Sequence, residues 1–379
     1  MKNIVSMNYE MMLVLFFGLM LLLLIGTSYN TSIATSSPGE TAKIPLYYVS
    51  TRDPQNPTYE MVTGPKGYQN ETYQNLNELK CQNETVVIFV HGWEESEDEV
   101  KERLNRVKLS LENNSFIHPL IGFSWRSDAT WFGAKFLAAE NGPKLAKLVS
   151  DIKYECPGTD LRLLAHSLGA RVVLSSLESL HENETWNKNN FTVKSVDLLG
   201  AAVDDEEVST NPQDILIDQT NWGTPKSDYG QAIETEVTNF TNSINGEDYI
   251  LEPIPENPYP PFQIYPSFEA DKALGQSGYQ KNLYIPIYDI KKSLPKNYAE
   301  IDVQDQLPLN VDADGDRECD FGIPRTNICM ITEIGDNHRG YLGYRNSDDN
   351  STIINDGAIN IVVDNWIDRA STNTSPNLQ

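Results

Sequence analysis

The segment that most constrains the fold is LRLLAHSLGARVV, residues 161–173. An apolar run of strand length leads into the turn AHSLG at 165–169, and a pattern with helical period follows it. A strand, a sharp turn carrying a serine and a helix together lift the serine hydroxyl above the edge of a parallel sheet. The turn departs from the G-x-S-x-G pattern because Ala165 replaces the first glycine. Ser167 is therefore informative only if the chain also supplies a base, an acid and backbone donors.

The alternation of strand and helix continues along the chain. Val86–Val90 is a continuous apolar run, as expected of a parallel strand that is buried on both faces. We predict strands at 86–90, 121–125, 161–165, 191–202, 236–244 and 299–303, and helices at 97–112, 132–154, 168–181 and 359–369. This order predicts an α/β domain over residues 36–370, with a mostly parallel sheet flanked by helices.

Three insertions interrupt the alternation, near residues 205–232, 252–283 and 305–336, and a tail follows at 371–379. The second insertion is rich in proline and aromatic residues. Long irregular segments in a compact domain are commonly functional loops or lids. Surface decoration would have the same sequence pattern, so both interpretations stay open.

The amino terminus carries a targeting signal. Sixteen apolar residues run without interruption from Met11 to Gly26. They are long for the core of a signal peptide and short for a membrane span, so residues 1–35 are either a cleaved signal or a retained membrane anchor. A buried core helix is disfavoured, because the run has no polar face. We expect a secreted or cell-surface protein.

Glycosylation sequons agree with export. The N-x-S/T pattern occurs nine times, at Asn30, Asn70, Asn83, Asn113, Asn183, Asn190, Asn239, Asn350 and Asn373. The four cysteines are an even number outside any C-x-x-C spacing, which in an exported chain favours two disulfides. The formal net charge of −25 argues against a nucleic-acid partner, since such a surface repels phosphate backbones.

A serine nucleophile needs a base, and the chain offers only five histidines: His91, His118, His166, His181 and His338. In this topology the base follows the nucleophile in the chain, which leaves His181 and His338. His181 lies at the far end of the helix that Ser167 begins, ~20 Å away at 1.5 Å per residue. Elimination therefore predicts His338 as the base.

The acid should follow a strand between Ser167 and the base. Asp248 comes after a strand and a small polar turn, and it is the preferred candidate. Asp204, at the end of LLGAAVD, is the alternative, and Glu247 is a minor one. In so acidic a chain, any of the three could instead be a solvated loop carboxylate.

The oxyanion of an acyl-transfer reaction needs two backbone N–H donors. One is expected from Leu168, the residue after the nucleophile. The other is expected from Trp93 in FVHGW, where Gly92 lets the chain turn tightly after strand 86–90.

With these parts, the chain resembles the lipase and esterase side of the α/β-hydrolase superfamily, and within it exported lipase-like hydrolases of archaeal type. The resemblance runs from about Val86 to Trp366 and rests on FVHGW, IGFSW, AHSLGA, LLGAAVDD, NFTNSINGEDYIL and DNHRGYLGY. It implies the α/β-hydrolase fold with lid-like insertions and a Ser167–Asp248–His338 triad. It implies no organic cofactor.

An acidic loop precedes the proposed base. It carries Asp312, Asp314, Asp316 and Asp320 around Gly315, a pattern that can hold one hard cation such as Ca²⁺. The loop lacks the acidic twelfth position of an EF-hand, since Ile323 stands there. A flexible acidic loop without metal is the alternative.

In the implied fold, the strands that follow Cys81 and Cys156 are parallel neighbours, so both cysteines lie at the same end of the sheet. This favours a Cys81–Cys156 disulfide. The remaining pair, Cys319–Cys329, would close the end of the acidic loop.

We therefore expect a serine hydrolase that cleaves carboxylic esters, of small molecules or of lipids. A hydrolase of amides, peptides or thioesters would use the same residues. A surface binding module on an inactive hydrolase fold is a third possibility. Substrate, chain length and oligomeric state are not encoded in these motifs.

Overall fold

The computed structural model describes residues 44–52, 85–93, 95–211, 228–248, 250–251, 273–278, 294–307, 321–322, 329–331, 336–346 and 349–372. The predicted leader, the acidic loop at 312–320 and most of the predicted insertions lie outside these ranges. Among the described residues, no helix has the length and apolar character needed to cross a membrane.

A parallel sheet forms the centre of the fold. Within the described residues it has seven strands in the order β1-β3-β2-β4-β5-β6-β7, and every neighbouring pair is parallel. The strands are β1 Leu46–Ser50, β2 Thr85–Val90, β3 Leu120–Ser124, β4 Asp160–His166, β5 Val193–Leu199, β6 Val237–Ile244 and β7 Tyr298–Asp302.

Helices cover both faces of the sheet. The main ones are α1 Glu97–Asn113, α2 Trp131–Glu155, α3 Gly169–His181 and α8 Ile359–Thr372, and shorter ones are α4 Glu184–Lys188, α5 Gly230–Glu236, α6 Leu274–Ser277 and α7 Asp336–Gly340. Single 3₁₀ turns occur at Asp205–Val208 and Gln304–Gln306. Two small antiparallel pairs join β8 Phe321–Gly322 to β9 Cys329–Ile331, and β10 Tyr344–Asn346 to β11 Asp349–Asn355.

The core divides at the sheet. Alternate residues of β2 point to opposite sides, so that Ile88 packs with the α2 and α3 side chains while Phe89 packs with those of α1 and α8. Both are fully buried. Burial on both faces explains why the strand sequence is a continuous apolar run rather than an alternating one.

The predicted strands and helices are present, with ends that shift by a few residues. The strand predicted at 191–202 is shorter because Gly200 adopts φ 55°, which ends the extended run at Leu199. The edge strand β1 was not predicted. Together, the parallel sheet and its helices form the α/β-hydrolase fold that the sequence implied.

The strand order reverses direction at β2, which lies between β3 and β4. In open α/β sheets, ligands bind outside the carboxyl ends of the strands at such a switch point. The loop with Trp93 follows β2, and Ser167 follows β4, so both predicted elements meet at this point.

Candidate active site

Ser167 occupies a strained turn between β4 and α3. Its φ is 53°, in the left-handed region that costs a residue with a side chain about 1–2 kcal/mol. The turn is held to the end of β5 on both sides: the Ser167 N–H donates to Leu199 O at 3.0 Å, and the Ala202 N–H donates to Ser167 O at 3.2 Å. The strained geometry is the one expected of a nucleophile elbow.

Gly169 allows α3 to begin directly beneath the loop after β2. A Cβ at this position would lie 2.5 Å from the carbonyl oxygens of both Val90 and His91. These are backbone atoms that cannot move aside, so a side chain is excluded here. On the strand side of the turn, Ala165 is fully buried and takes the place of the missing glycine.

The structure brings His338 and Asp248 together. His338 Nδ1 lies 2.7 Å from Asp248 Oδ2, and the two side chains are 8% and 0% exposed. Because a carboxylate only accepts hydrogen bonds, Nδ1 carries the proton when the ring is neutral, and Nε2 is left as the basic nitrogen. The contact joins the two residues that the sequence analysis preferred, His338 as the base and Asp248 as the acid.

His166 connects His338 to the turn of Ser167. The His166 Nε2–H donates to the carbonyl oxygen of His338 at 2.7 Å, and the two ring centroids are 4.8 Å apart. Burial, and then the neighbouring His338, hold the pKa of His166 well below its ordinary value, so the ring is neutral. Among the described residues, no hydrogen bond joins Ser167 to His338. Such contacts often tighten only when substrate binds.

Tyr341 closes the site behind Asp248. Gly200 leaves room for it, because a Cβ there would lie 2.8 Å from Cε2 of Tyr341 and 3.3 Å from Asp248 Oδ2. Burial, and then the charge of Asp248, raise the pKa of Tyr341 well above its usual value, so the phenol stays protonated. Sequence reasoning missed this tyrosine, although it is three residues after His338.

The two predicted oxyanion donors border Ser167. Leu168 is the N-cap residue of α3. The loop of Gly92 and Trp93 passes close to Ser167, since a Cβ at Gly92 would lie 2.9 Å from Ser167 Cβ. Within the described part of the chain, neither the Leu168 N–H nor the Trp93 N–H donates a hydrogen bond. These two N–H groups are therefore the candidates for the two oxyanion donors.

His91 fixes the peptide that carries the Trp93 N–H. Its Nδ1–H donates to Gly92 O at 2.9 Å, and its Nε2 accepts from the Trp125 N–H at 3.1 Å. The Gly92 carbonyl and the Trp93 N–H belong to one planar peptide unit, so holding the first orients the second. Burial, and then Arg52, hold the pKa of His91 well below its ordinary value, and this keeps the ring neutral.

A family model for alpha/beta hydrolases of unknown function, DUF900, matches residues 68–280. This range is more than half of the 379 residues. The chain belongs to this alpha/beta hydrolase family. The matched range includes Ser167 and Asp248, whereas His338 lies beyond its end.

Among solved structures, a Trichoderma reesei cutinase in complex with a C11Y4 phosphonate inhibitor is similar, with 17% identity and a TM-score of 0.24. The alignment covers 42% of this chain and 61% of the cutinase chain, so it spans about three fifths of that enzyme. So distant a likeness says nothing about substrate. None of the curated proteins matches this chain.

The alternative acid, Asp204, has a different neighbour. It is 1% exposed and pairs through its backbone with Ala273. Its charge acts on Arg171, which Glu207 binds through two hydrogen bonds of 2.8 and 2.7 Å. The minor candidate Glu247 is half-buried in the turn before Asp248. The carboxylate that contacts His338 is that of Asp248.

The other histidines are accounted for elsewhere. His181 Nδ1 lies 3.0 Å from Glu236 Oε1, at the far end of α3. The His118 ring packs on Phe116, with ring centroids 4.5 Å apart. His118 precedes β3, so it lies at the amino-terminal ends of the strands, whereas the site lies at their carboxyl ends.

The predicted metal and disulfide sites cannot be compared with the structure. Asp312, Asp314, Asp316 and Asp320 lie outside the described residues, as do Cys81 and Cys319. Cys156 is disulfide-bonded and follows α2. Cys329 begins β9 opposite Gly322. Both pairings stay predictions. Within the described ranges, no group of His, Cys, Asp or Glu side chains could hold a metal ion.

Proposed function

We propose that this hydrolase cleaves carboxylic esters through an acyl-enzyme formed on Ser167. The proposal rests chiefly on the 2.7 Å contact between His338 Nδ1 and the fully buried Asp248. A buried histidine with one nitrogen bound to a carboxylate and the other basic suits a general base. His166 holds this histidine beside the strained turn that presents Ser167.

The reaction proceeds in two halves. His338 Nε2 takes the hydroxyl proton as Ser167 Oγ attacks the ester carbonyl carbon, and the same proton passes to the leaving alcohol when the C–O bond breaks. Water then gives a proton to His338 and attacks the acyl-enzyme. Return of that proton to Ser167 releases the carboxylic acid.

Three further groups lower the barriers. The N–H groups of Trp93 and Leu168 bind the negative charge that develops on the carbonyl oxygen. Asp248 orients the imidazole and stabilises its cation, which forms in both halves of the reaction. This chemistry needs no organic cofactor.

Export of the enzyme is part of the proposal. The apolar leader, the nine sequons and a disulfide-bonded Cys156 support a secreted or cell-surface location, with the leader cleaved or kept as an anchor.

Labelling with a fluorophosphonate probe tests the active serine. We expect the purified protein to react, and the Ser167→Ala and His338→Ala variants to lose labelling. His118→Ala is the matched control and should label normally, since His118 lies at the amino-terminal ends of the strands, away from Ser167. A panel of matched ester, thioester and amide substrates then identifies the bond that is cleaved. Absence of labelling in the intact protein, with calcium present, would refute the enzyme proposal and favour a binding module.

The same labelling tests the proposed calcium site. If the loop at 312–320 binds Ca²⁺ and positions His338, EDTA should reduce labelling and added Ca²⁺ should restore it. Labelling that EDTA does not change would contradict this role.

A further inference from the structure

A buried carboxyl group that the proposed mechanism does not use lies beside the nucleophile. Gly92 has no side chain, and a Cβ at this position would lie 3.4 Å from Ser167 Oγ and 3.5 Å from Glu95 Oε1. The serine hydroxyl and the Glu95 carboxyl therefore border the same small space. The side chain of Glu95 is 10% exposed.

The backbone of Glu95 is held firmly in place. Its carbonyl oxygen accepts from Arg52 Nη2 at 2.8 Å, and its N–H donates to Ser127 Oγ at 3.2 Å. The Ser127 hydroxyl donates back to Glu95 O at 3.3 Å. Loops after β1, β2 and β3 all contribute to these contacts, so the backbone that carries the Glu95 side chain is held in place.

One carboxyl oxygen of Glu95 lacks a hydrogen-bond partner. Oε2 is buried and receives no hydrogen bond in the described part of the chain. The nearest ring nitrogen, His91 Nδ1, is 3.8 Å away and gives its proton to Gly92 O. A buried acceptor without a donor is costly, so its retention calls for a functional explanation.

The electrostatic surroundings are mixed. Burial raises the pKa of Glu95, while Arg103, Arg339 and the Gly92 N–H oppose that rise and Glu99 adds to it. The two arginines act through their charge, and neither forms an ion pair with Glu95 among the described side chains. Among the described residues, Glu95 Oε2 is thus a buried acceptor that still lacks a donor.

We infer that Glu95 accepts a hydrogen bond from a substrate hydroxyl or amino group close to the scissile carbonyl. The inference rests on the proposed function and extends it to a substrate class, esters that carry a hydrogen-bond donor near the reacting carbon. Gly92 supplies the opening, since any larger residue would fill the space between Glu95 and Ser167.

A set of matched esters tests this inference. The rates to compare are kcat/KM for ethyl butanoate, its 2-hydroxy, 3-hydroxy and 2-amino derivatives, and 2-hydroxyethyl butanoate. A hydrogen bond to a charged group favours the donor-bearing ester by about tenfold or more in the wild-type protein. Preference for the hydroxy esters identifies a neutral donor, and preference for the amino ester identifies an ammonium group.

Three variants assign the preference to its source. Glu95→Met removes the acceptor at similar size and should bring the ratio of donor-bearing to plain ester to about one. Glu95→Gln keeps one acceptor oxygen and should give an intermediate ratio. Glu97→Gln removes an exposed carboxylate two residues away and should keep the wild-type ratio. Thermal unfolding of each variant shows whether it is folded, and Glu95→Gln decides the matter if Glu95→Met is not.

The two proposals fail in different ways. Hydrolysis of all five esters at similar rates, or a preference that survives Glu95→Met, would overturn the role of Glu95 alone. If none of the esters is hydrolysed, the proposed function fails, and the inference that rests on it fails too.

Discussion

Replacing Asp248 by asparagine is the sharpest test of the proposed triad. The substitution keeps the shape of the side chain but removes the charge that lies 2.7 Å from His338 Nδ1. At an effective dielectric constant of about 20, a carboxylate attracts an imidazolium at that distance by about 6 kcal/mol. At about 1.4 kcal/mol per factor of ten, loss of this attraction lowers kcat by about 10⁴-fold.

The asparagine amide also disturbs the tautomer. If its NH₂ group faces His338, Nδ1 must accept and Nε2 must carry the proton, so the ring can no longer act as a base toward Ser167. We expect the loss in kcat with little change in KM, since neither nitrogen binds the ground-state substrate.

Asp204→Asn is the matched control. Asp204 is also buried and also follows a strand, and its charge acts on Arg171, whereas the carboxylate in contact with His338 is that of Asp248. We expect less than about a tenfold change in kcat, with any loss of stability measured separately by urea unfolding. Both variants are assayed on one p-nitrophenyl ester and by the rate of fluorophosphonate labelling. Near-normal kcat in Asp248→Asn, or a collapse of activity only in Asp204→Asn, would refute the assignment of the acid.

Three further predictions concern stability. Ser167→Gly should be more stable than Ser167→Ala by about 0.5–1 kcal/mol in urea unfolding, because only glycine relieves the φ of 53°; equal stabilities would mean that the turn is not strained. Arg171→Met should cost about 3–5 kcal/mol by removing the guanidinium that binds the buried Glu207 carboxylate, and adding Glu207→Leu should recover most of it; a double variant no better than the single one would contradict this. The pKa values of His91 and His166 are lowered by burial, so the unfolded chain binds protons that the folded chain does not. The free energy of unfolding should therefore fall as pH drops below about 6.5, by up to about 1.4 kcal/mol per pH unit for each histidine, and His91→Gln should flatten this slope between pH 7 and 5.5; a slope that His91→Gln leaves unchanged would count against a neutral His91.

The fold was predictable where burial alone determines the sequence pattern. The strand at Thr85–Val90 is buried on both faces, and its continuous apolar run distinguishes it from the surrounding helices. The edge strand Leu46–Ser50 was not predicted, because it pairs with Leu120–Ser124, more than 70 residues further along the chain. A short segment ordered by so distant a partner carries little local signal.

The candidate triad was predictable for a different reason. The chain has few histidines: chain order leaves His181 and His338 as candidates, and the length of the helix excludes His181. Asp248 followed from the rule that functional side chains lie at the carboxyl ends of parallel strands. Both arguments use the order of residues along the chain and the parallel sheet that the alternation of strands and helices predicts.

The residues around the triad were not predictable. His166, Tyr341 and Glu95 are brought to the site by contacts between segments that are far apart in sequence: His166 binds the carbonyl of His338, and Ser127, after β3, binds the backbone of Glu95. In the sequence, His166 is only the residue before the serine, and nothing distinguishes Glu95 from the other carboxylates of an acidic chain.

The oxyanion loop illustrates how such contacts give function to an ordinary sequence. FVHGW alone indicates a strand that ends in a turn. In the folded chain, Trp125 donates to both the ring and the carbonyl oxygen of His91, and the Trp93 ring donates to Ala129 O at 2.8 Å. The loop is thus fixed by the segment after β3 before any substrate arrives. Donors that are already oriented need no reorganisation when charge develops, and this is the main way in which an enzyme stabilises an oxyanion. In the proposed mechanism, the segment after β3 would therefore contribute to catalysis without supplying a reacting group.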